Sequence, residues 1–152
     1  VGESNILDGD DRFYNNIFMH PNGLTEYDKN NAHPVFMKNN LYLGKSKPLK
    51  KYEKNPQIDK QANTSIRISK SNESVNLSID LQSDWRTKHK RDIISTKTLG
   101  KAVITQQVFE HRCGEPLILD KDYFGKSRNI ENPYPGPISI NSSISNIDVW
   151  PK

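Results

Sequence analysis

The sequence predicts an all-β protein, with the last coils of a parallel β-solenoid followed by an antiparallel β-sandwich-like region. Three observations support this fold class. Residues 14–19 return 24 positions later as residues 38–43, with the same order of polar and apolar side chains. β-branched residues dominate the apolar runs, which Pro and Gly separate, and no helical periodicity continues over three turns. A period in the low twenties matches one coil of a solenoid whose strands stack on each other.

An Asn-Asn pair precedes the apolar residues in both copies of the repeat, Asn15-Asn16 in the first and Asn39-Asn40 in the second. Asn tolerates the left-handed backbone region, and its amide can bond to nearby backbone groups. Each pair therefore predicts a sharp bend into a strand, and we expect the two pairs to occupy equivalent corners of adjacent coils. The alternative is a chance match between two hairpin strands.

The chain divides into three predicted parts. Residues 1–45 hold the coils, residues 46–62 are rich in Lys, Pro and Asn and are expected to form a linker, and residues 63–152 form the antiparallel β-sandwich-like domain. A coil buries its apolar face only against a neighbour, so a stable array needs about three repeats plus caps. Because the chain starts without Met and its coils begin at once, we expect it to be the carboxy-terminal piece of a longer protein.

The third part begins with two strictly alternating runs, residues 65–69 and 75–81, around a short polar loop. Such runs predict a hairpin with one buried face. The residues of that face are Ile66, Ile68, Val75, Leu77, Ile79 and Leu81. Further strands are predicted at 93–96, 102–104 and 116–120, a turn at 98–101, and an edge strand at 144–150.

The segment between the two repeats contains Glu26 and Asp28. Glycoside cleavage uses two carboxyl groups, one as acid and one as nucleophile or base. Residues two apart point the same way from an extended segment, which makes this pair the candidate for catalysis. The alternative is that both are exposed loop acids, which are common on protein surfaces.

Candidate metal ligands are few. Asp8, Asp10 and Asp11 surround a glycine turn, and a calcium loop needs acidic ligands at alternate positions. Arg12 follows at once and breaks that pattern, so an Asx-type turn is the alternative. The single cysteine, Cys113, excludes an internal disulfide and a multi-cysteine metal site. We expect no metal and no cofactor.

Charge and hydropathy limit the partners. The net charge of +4 is spread out, and the basic stretches at 45–54 and 86–91 lack the interleaved aromatic residues of a nucleic-acid platform. No run approaches the ~20 apolar residues of a membrane span. We expect neither nucleic acid nor membrane as a partner. Aromatic rings can stack on sugars. The candidates for carbohydrate contact are Tyr42, Trp85, Tyr123, Tyr134 and Trp150, although a Trp directly after a strand, as Trp85 is, more often caps a core.

Several segments resemble bacterial right-handed parallel β-helix proteins, and the nearest described relatives are the β-xylosidases of glycoside hydrolase family 120. Residues 9–18, 23–24, 27–28, 34–37 and 40–44 resemble the last coils of those proteins. Residues 98–102, 118–128, 132–137 and 149–150 resemble their terminal β-rich region. The resemblance implies an exported protein, periplasmic or extracellular in a bacterium. It also implies that the catalytic aspartate and glutamate lie on earlier coils, so no catalytic residue is carried over to this chain.

Three functions are compatible with the sequence. The first is a non-catalytic carboxy-terminal region of a polysaccharide-degrading, xylosidase-like hydrolase, which caps the β-helix and lines the substrate groove. Its partners would be the upstream β-helix of the same chain and an oligo- or polysaccharide. The second is an independent carbohydrate-binding module, and the third is a structural or interaction domain of unknown role. Catalysis by this chain alone is the weakest hypothesis, because no acid–base constellation emerges.

Overall fold

In the computed structural model, residues 10–21, 24–28, 33–62, 65–71, 74–140 and 144–151 are described. Six short strands form three coils, two strands to each coil. In chain order they are β1 (Arg12–Tyr14), β2 (Ile17–Phe18), β3 (Phe36–Lys38), β4 (Leu41–Leu43), β5 (Glu53–Lys54) and β6 (Gln57–Asp59). The first strands of the coils form a parallel sheet in the order β1-β3-β5, and the second strands form another in the order β2-β4-β6. A 3₁₀ helix at Thr25–Asp28 lies between the first two coils.

An Asn residue with a left-handed backbone makes the corner between the two strands of every coil. The φ angles are 57° at Asn15, 61° at Asn39 and 55° at Asn55. Asn is one of the few residues that adopt this conformation at low cost. β1 pairs with β3 in parallel, with Tyr14 opposite Lys38, so the first two corners follow equivalent positions. The prediction of stacked Asn corners is confirmed.

The third coil lies in the range that was predicted to be a linker. β5 pairs with β3 and β6 pairs with β4, both in parallel, so the linker prediction is wrong for residues 53–59. The corner at Asn55 follows the one at Asn39 by 16 residues instead of 24, and Pro56 stands where the other coils have a second Asn. A search at the longer period therefore misses this coil. The wider division into domains stays a prediction.

Three antiparallel strands follow the coils: β7 (Ile66–Lys70), β8 (Ser74–Leu81) and β9 (Ile144–Pro151), in the order β7-β8-β9. The predicted hairpin and the predicted edge strand near the end of the chain are confirmed. Two single-turn helices, α1 (Asp84–Thr87) and α2 (Thr96–Leu99), lie between β8 and β9. The all-β fold class is therefore confirmed, with parallel coils followed by an antiparallel sheet. No helix in the described ranges is both long and apolar enough to cross a membrane.

The predicted buried face of the hairpin is only partly buried. Ile79 and Leu81 of the central strand are buried, but Ile66 and Ile68 are 51% and 70% exposed, so the prediction is wrong for these two residues. The reason is that the core covers the face of β8 and β9 and does not extend under β7. The core beneath the sheet takes side chains from β8 and β9 and none from β7.

The strands predicted at 93–96, 102–104 and 116–120 are not formed. This part of the chain contains only isolated bridges, and Thr96–Leu99 is helical. The cause of the helical turn is a capping box, in which the Ser95 side chain accepts from the Thr98 N–H and the Thr98 hydroxyl accepts from the Ser95 N–H. Local side-chain bonds thus override the β-branched composition of the segment.

One hydrophobic core joins the coils to the antiparallel sheet. Its buried residues are Leu41, Leu43, Ile79, Leu81, Trp85, Tyr134, Ile138, Ile140 and Ile147. A smaller cluster, formed by Val35, Met37 and Leu49, fills the coils on the side of β3. Because the larger cluster contains residues from both β4 and β8, the coils and the sheet pack as one unit.

Candidate functional site

The buried amide of Asn40 connects all three coils. Its Nδ2 donates to the carbonyl oxygen of Phe13 and to Oε2 of Glu53, both at 2.7 Å. Its Oδ1 accepts from the backbone N–H of Asn16 at 2.8 Å. Asn40 is fully buried, so a substitution that removes these bonds leaves polar groups of the first and third coils unpaired.

The carboxylate of Glu53 also binds Tyr42, whose hydroxyl donates to Oε2 at 2.6 Å. Burial raises the pKa of Glu53, although the bonds from Tyr42 and Asn40 act in the opposite direction. Burial and the neighbouring Glu53 raise the pKa of Tyr42. The Tyr42 ring is 2% exposed and stacks on Phe18 at 5.1 Å, so it has no free face for a sugar.

Arg91 holds the segment after α1 against the coils. Its Nε donates to the carbonyl oxygen of Asn39 and its Nη1 to that of Trp85, both at 3.0 Å, and its Nη2 donates to the side-chain oxygen of Gln57. Burial lowers the pKa of Arg91 to about 10. The guanidinium therefore remains charged at neutral pH while it is bound by uncharged oxygen atoms.

A second arginine, Arg12, fixes the segment around α2 to the first coil. Its guanidinium donates to the carbonyl oxygens of Leu99 at 3.0 Å and Lys101 at 2.7 Å. It also lies between two aromatic rings, with its central carbon 4.6 Å from the centroids of both Phe36 and Phe109. The chain after the coils is thus attached to the first coil through Arg12 and to the second and third coils through Arg91.

The calcium hypothesis depended on Asp8, Asp10 and Asp11. Asp8 lies outside the described residues. The Asp10 carboxylate pairs with Arg12 and accepts from the Val103 N–H at 2.8 Å. Burial would raise the pKa of Asp10, but these two partners together hold it below its usual value. Within the described ranges, no three His, Cys, Asp or Glu side chains lie close enough together to hold a metal ion.

The proposed catalytic pair does not have the geometry on which it was based. Glu26 and Asp28 both belong to the 3₁₀ helix and not to an extended segment. The role of the two carboxyl groups stays a prediction.

Two further aromatic candidates belong to the core. Trp85 is 1% exposed, and its Nε1 donates to Oδ2 of Asp59 at 2.9 Å. Tyr134 is 2% exposed, and its ring centroid lies 6.3 Å from that of Trp85. The alternative of a core cap is confirmed for Trp85, and neither ring has a free face.

The remaining aromatic candidates, Tyr123 and Trp150, lie together. They are 54% and 64% exposed, and the Tyr123 hydroxyl donates to the carbonyl oxygen of Val149 at 2.6 Å. Both line an open groove of about 390 Å³, which we call the aromatic groove. Its other lining residues are Val75, Leu77, Pro137, Ile138 and Val149. The fold thus brings together two candidates that are 27 residues apart in the sequence.

A second concave site lies beside the corner of the first coil, and we call it the corner cleft. Its volume is about 410 Å³. Its lining residues are Tyr14, Asn15, Asn16, Ile93, Ile94, Leu119, Lys121, Arg128, Pro133, Gly136 and Pro137. Sequence reasoning missed this site because its residues come from four separate segments. The sequence marked only one part of the site, the Asn corner of the first coil. In the structure this corner contacts the last segment of the cleft, because the Gly136 N–H donates to the Asn15 carbonyl oxygen at 2.6 Å.

Parallel coils with Asn corners, joined through one core to an antiparallel sheet, define the mostly β fold of this chain. The chain resembles part of XylC, a β-xylosidase of glycoside hydrolase family 120 whose structure is known in complex with xylose. The two are 30% identical with a TM-score of 0.72, over 93% of this chain and 26% of XylC. The chain thus spans about a quarter of XylC. No protein-family model and no curated protein matches the chain.

The raised pKa of Glu53 predicts a pH dependence of stability. Between its unfolded value near 4.5 and its higher folded value, the folded state holds a proton that the unfolded state has released. The contribution of Glu53 to the free energy of unfolding should therefore fall as the pH rises through this window. Urea unfolding from pH 4 to pH 7 should show that wild type loses stability relative to Glu53→Gln. The exposed control Glu115→Gln should follow wild type. A difference between wild type and Glu53→Gln that does not change with pH would contradict this.

Proposed function

We propose that this chain is the non-catalytic carboxy-terminal region of an exported, polysaccharide-degrading, xylosidase-like glycoside hydrolase. Its role there is to cap the β-helix and to form part of the wall of the substrate groove. The observation that carries the proposal is the likeness to part of XylC, which extends over 93% of this chain. The two ends of the coil stack add a physical argument. The first coil has outer strands that a preceding coil could pair with, whereas the chain that follows the coils contacts the third coil.

The first coil presents an edge that a preceding coil would cover. β1 and β2 are outer strands of their sheets in the described part of the chain. Phe13, Ile17 and Phe18 on these strands are only half-buried, whereas Leu41 and Leu43 of the second coil are fully buried. Outer strands offer unpaired N–H and C=O groups and readily accept another strand. An upstream coil of the same polypeptide would supply that strand and complete the burial of the three side chains.

The third coil, in contrast, is contacted at its corner and at Asp59 by the chain that follows it, while Ile58 of β6 stays 47% exposed. Trp85 donates to Asp59 at 2.9 Å, and the His89 ring nitrogen Nε2 lies 2.9 Å from the carbonyl oxygen of Asn55. Arg91 adds its bonds on the same side. A solenoid needs such a cap where its coils end, since an uncovered coil leaves its apolar face and strand edges exposed. The order of coils and cap along the chain therefore favours a carboxy-terminal position in the parent protein.

This role predicts that the chain has no activity by itself. The 152-residue chain should release no nitrophenol from nitrophenyl β-xyloside, because the catalytic carboxyl groups are proposed to lie on coils before Val1. A longer chain that includes those coils should release it, and removal of residues 63–152 from the longer chain should lower its thermal midpoint. Turnover by the 152-residue chain, or a sequence before Val1 without further coils, would refute the proposal.

A carbohydrate-binding module is the second candidate, and the aromatic groove is the observation that favours it. Exposed rings that share a groove can stack on sugar rings. Tyr123 and Trp150 meet this condition, whereas the three buried aromatic candidates do not.

Tryptophan fluorescence can test this second candidate, because Trp150 lies in the groove and Trp85 is buried. Titration with xylo-oligosaccharides should give a saturable change. Tyr123→Ala should weaken binding about two- to twelvefold, which corresponds to the ~0.5–1.5 kcal/mol of one aromatic contact. The exposed control Ile104→Ala, outside the groove, should bind like wild type. A flat titration, or equal affinity of both variants and wild type, would exclude the module.

A further inference from the structure

The corner cleft has two cationic side chains in its lining and no carboxylate. Lys121 and Arg128 are the cations, and none of the lining residues is Asp or Glu. The neighbouring Asp122 is directed elsewhere, because its Oδ1 accepts from the N–H groups of Phe124 at 3.0 Å and Lys126 at 2.9 Å. The cleft therefore has a net positive lining and favours an anionic ligand.

The guanidinium of Arg128 keeps two donors for such a ligand. Its Nε donates to Lys121 O, its Nη1 to Tyr134 O and its Nη2 to Gly136 O, at 3.0, 3.2 and 3.0 Å. A guanidinium has five N–H groups, so one on each Nη has no acceptor among the described residues. Hydrogen bonds from a charged guanidinium to a carboxylate are among the strong ones. The three carbonyl bonds hold the group in a fixed orientation, so its positive charge stays at the wall of the cleft.

The other walls of the cleft fit a ring that carries hydroxyl groups. Ile93, Ile94 and Leu119 supply apolar surface, and Tyr14 adds a ring that carries a hydroxyl group. The Asn15 side-chain oxygen is buried and has no hydrogen-bond partner in the described ranges. A simple anion uses only the cations, whereas a hydroxylated ring with a carboxylate uses all three types of wall.

We propose that the corner cleft binds a sugar acid, a hexuronate, either free or as the end unit of an oligosaccharide. Its carboxylate is bound by Arg128 and Lys121, its ring packs on the apolar wall, and its hydroxyls reach the hydroxyl of Tyr14. The volume of about 410 Å³ lies within the ~300–1,000 Å³ typical of small-molecule sites. This inference goes beyond the proposed capping role and does not require it.

The test is an NMR titration of the ¹⁵N-labelled 152-residue chain with sodium glucuronate at constant ionic strength. Saturable shifts are expected at the amides of Asn15, Lys121 and Arg128, and glucose should cause none. Lys121→Gln should weaken binding about two- to fivefold, as loss of one exposed charge contact implies. Arg128→Lys keeps the charge but loses the planar group that three carbonyl oxygens hold in place, and should weaken binding about tenfold. Lys126→Gln, in the same loop but outside the cleft, is the matched control and should bind like wild type.

Three results would overturn the proposal: equal responses to glucose and glucuronate, inorganic phosphate that binds as tightly as glucuronate, or one affinity shared by wild type, Lys121→Gln and Lys126→Gln. A disaccharide with a terminal glucuronate separates the two sources of the ligand. Tighter binding than the free acid supports an oligosaccharide, and weaker binding supports the free acid. Failure of the capping proposal would appear in the nitrophenyl assay and would leave this titration unchanged.

Discussion

The structure depends on one buried amide. Asn40 bonds to the backbone of the first coil through Phe13 and Asn16 and to the carboxylate of Glu53 in the third coil. Strands of two or three residues have few ladder bonds, so they cannot fix the register of the coils by themselves. A buried amide tolerates no shift of register, because every displaced donor or acceptor would be left unpaired. The corner Asn pairs thus set both the bend and the stacking.

The rest of the chain is attached to this register by two arginines. Arg91 is fully buried and bonds to the carbonyl oxygen of the corner residue Asn39. Arg12 reaches the carbonyl oxygens of Leu99 and Lys101. A buried cation is costly unless every donor finds an oxygen, so these contacts form only when the coils are correctly stacked. The groove and the cleft, which both depend on the packing of the later segments, therefore inherit their geometry from the corners.

The sequence revealed the features that are local. The Asn pairs predicted two coils, and alternation predicted β7, β8 and β9. It did not reveal the third coil, because a shorter connection and the single Asn55 break the period. It also did not reveal the exposure of Ile66 and Ile68, because alternation does not tell which strand the core leaves uncovered. Residue type alone predicted five aromatic residues for carbohydrate contact, and Tyr123 and Trp150 are two of them. Only packing separates the exposed rings from the buried ones, and only packing assembles the corner cleft from four segments.

The central claim is that the Asn40 amide holds the three coils in register. Urea unfolding of Asn40→Ala tests it most directly, with the exposed Gln107→Ala as the matched loss of an amide. We expect Asn40→Ala to lower the free energy of unfolding by ~2–4 kcal/mol, because it leaves groups on two coils unpaired. Gln107→Ala should stay within ~0.5 kcal/mol of wild type. Equal unfolding free energies for the two variants would contradict it.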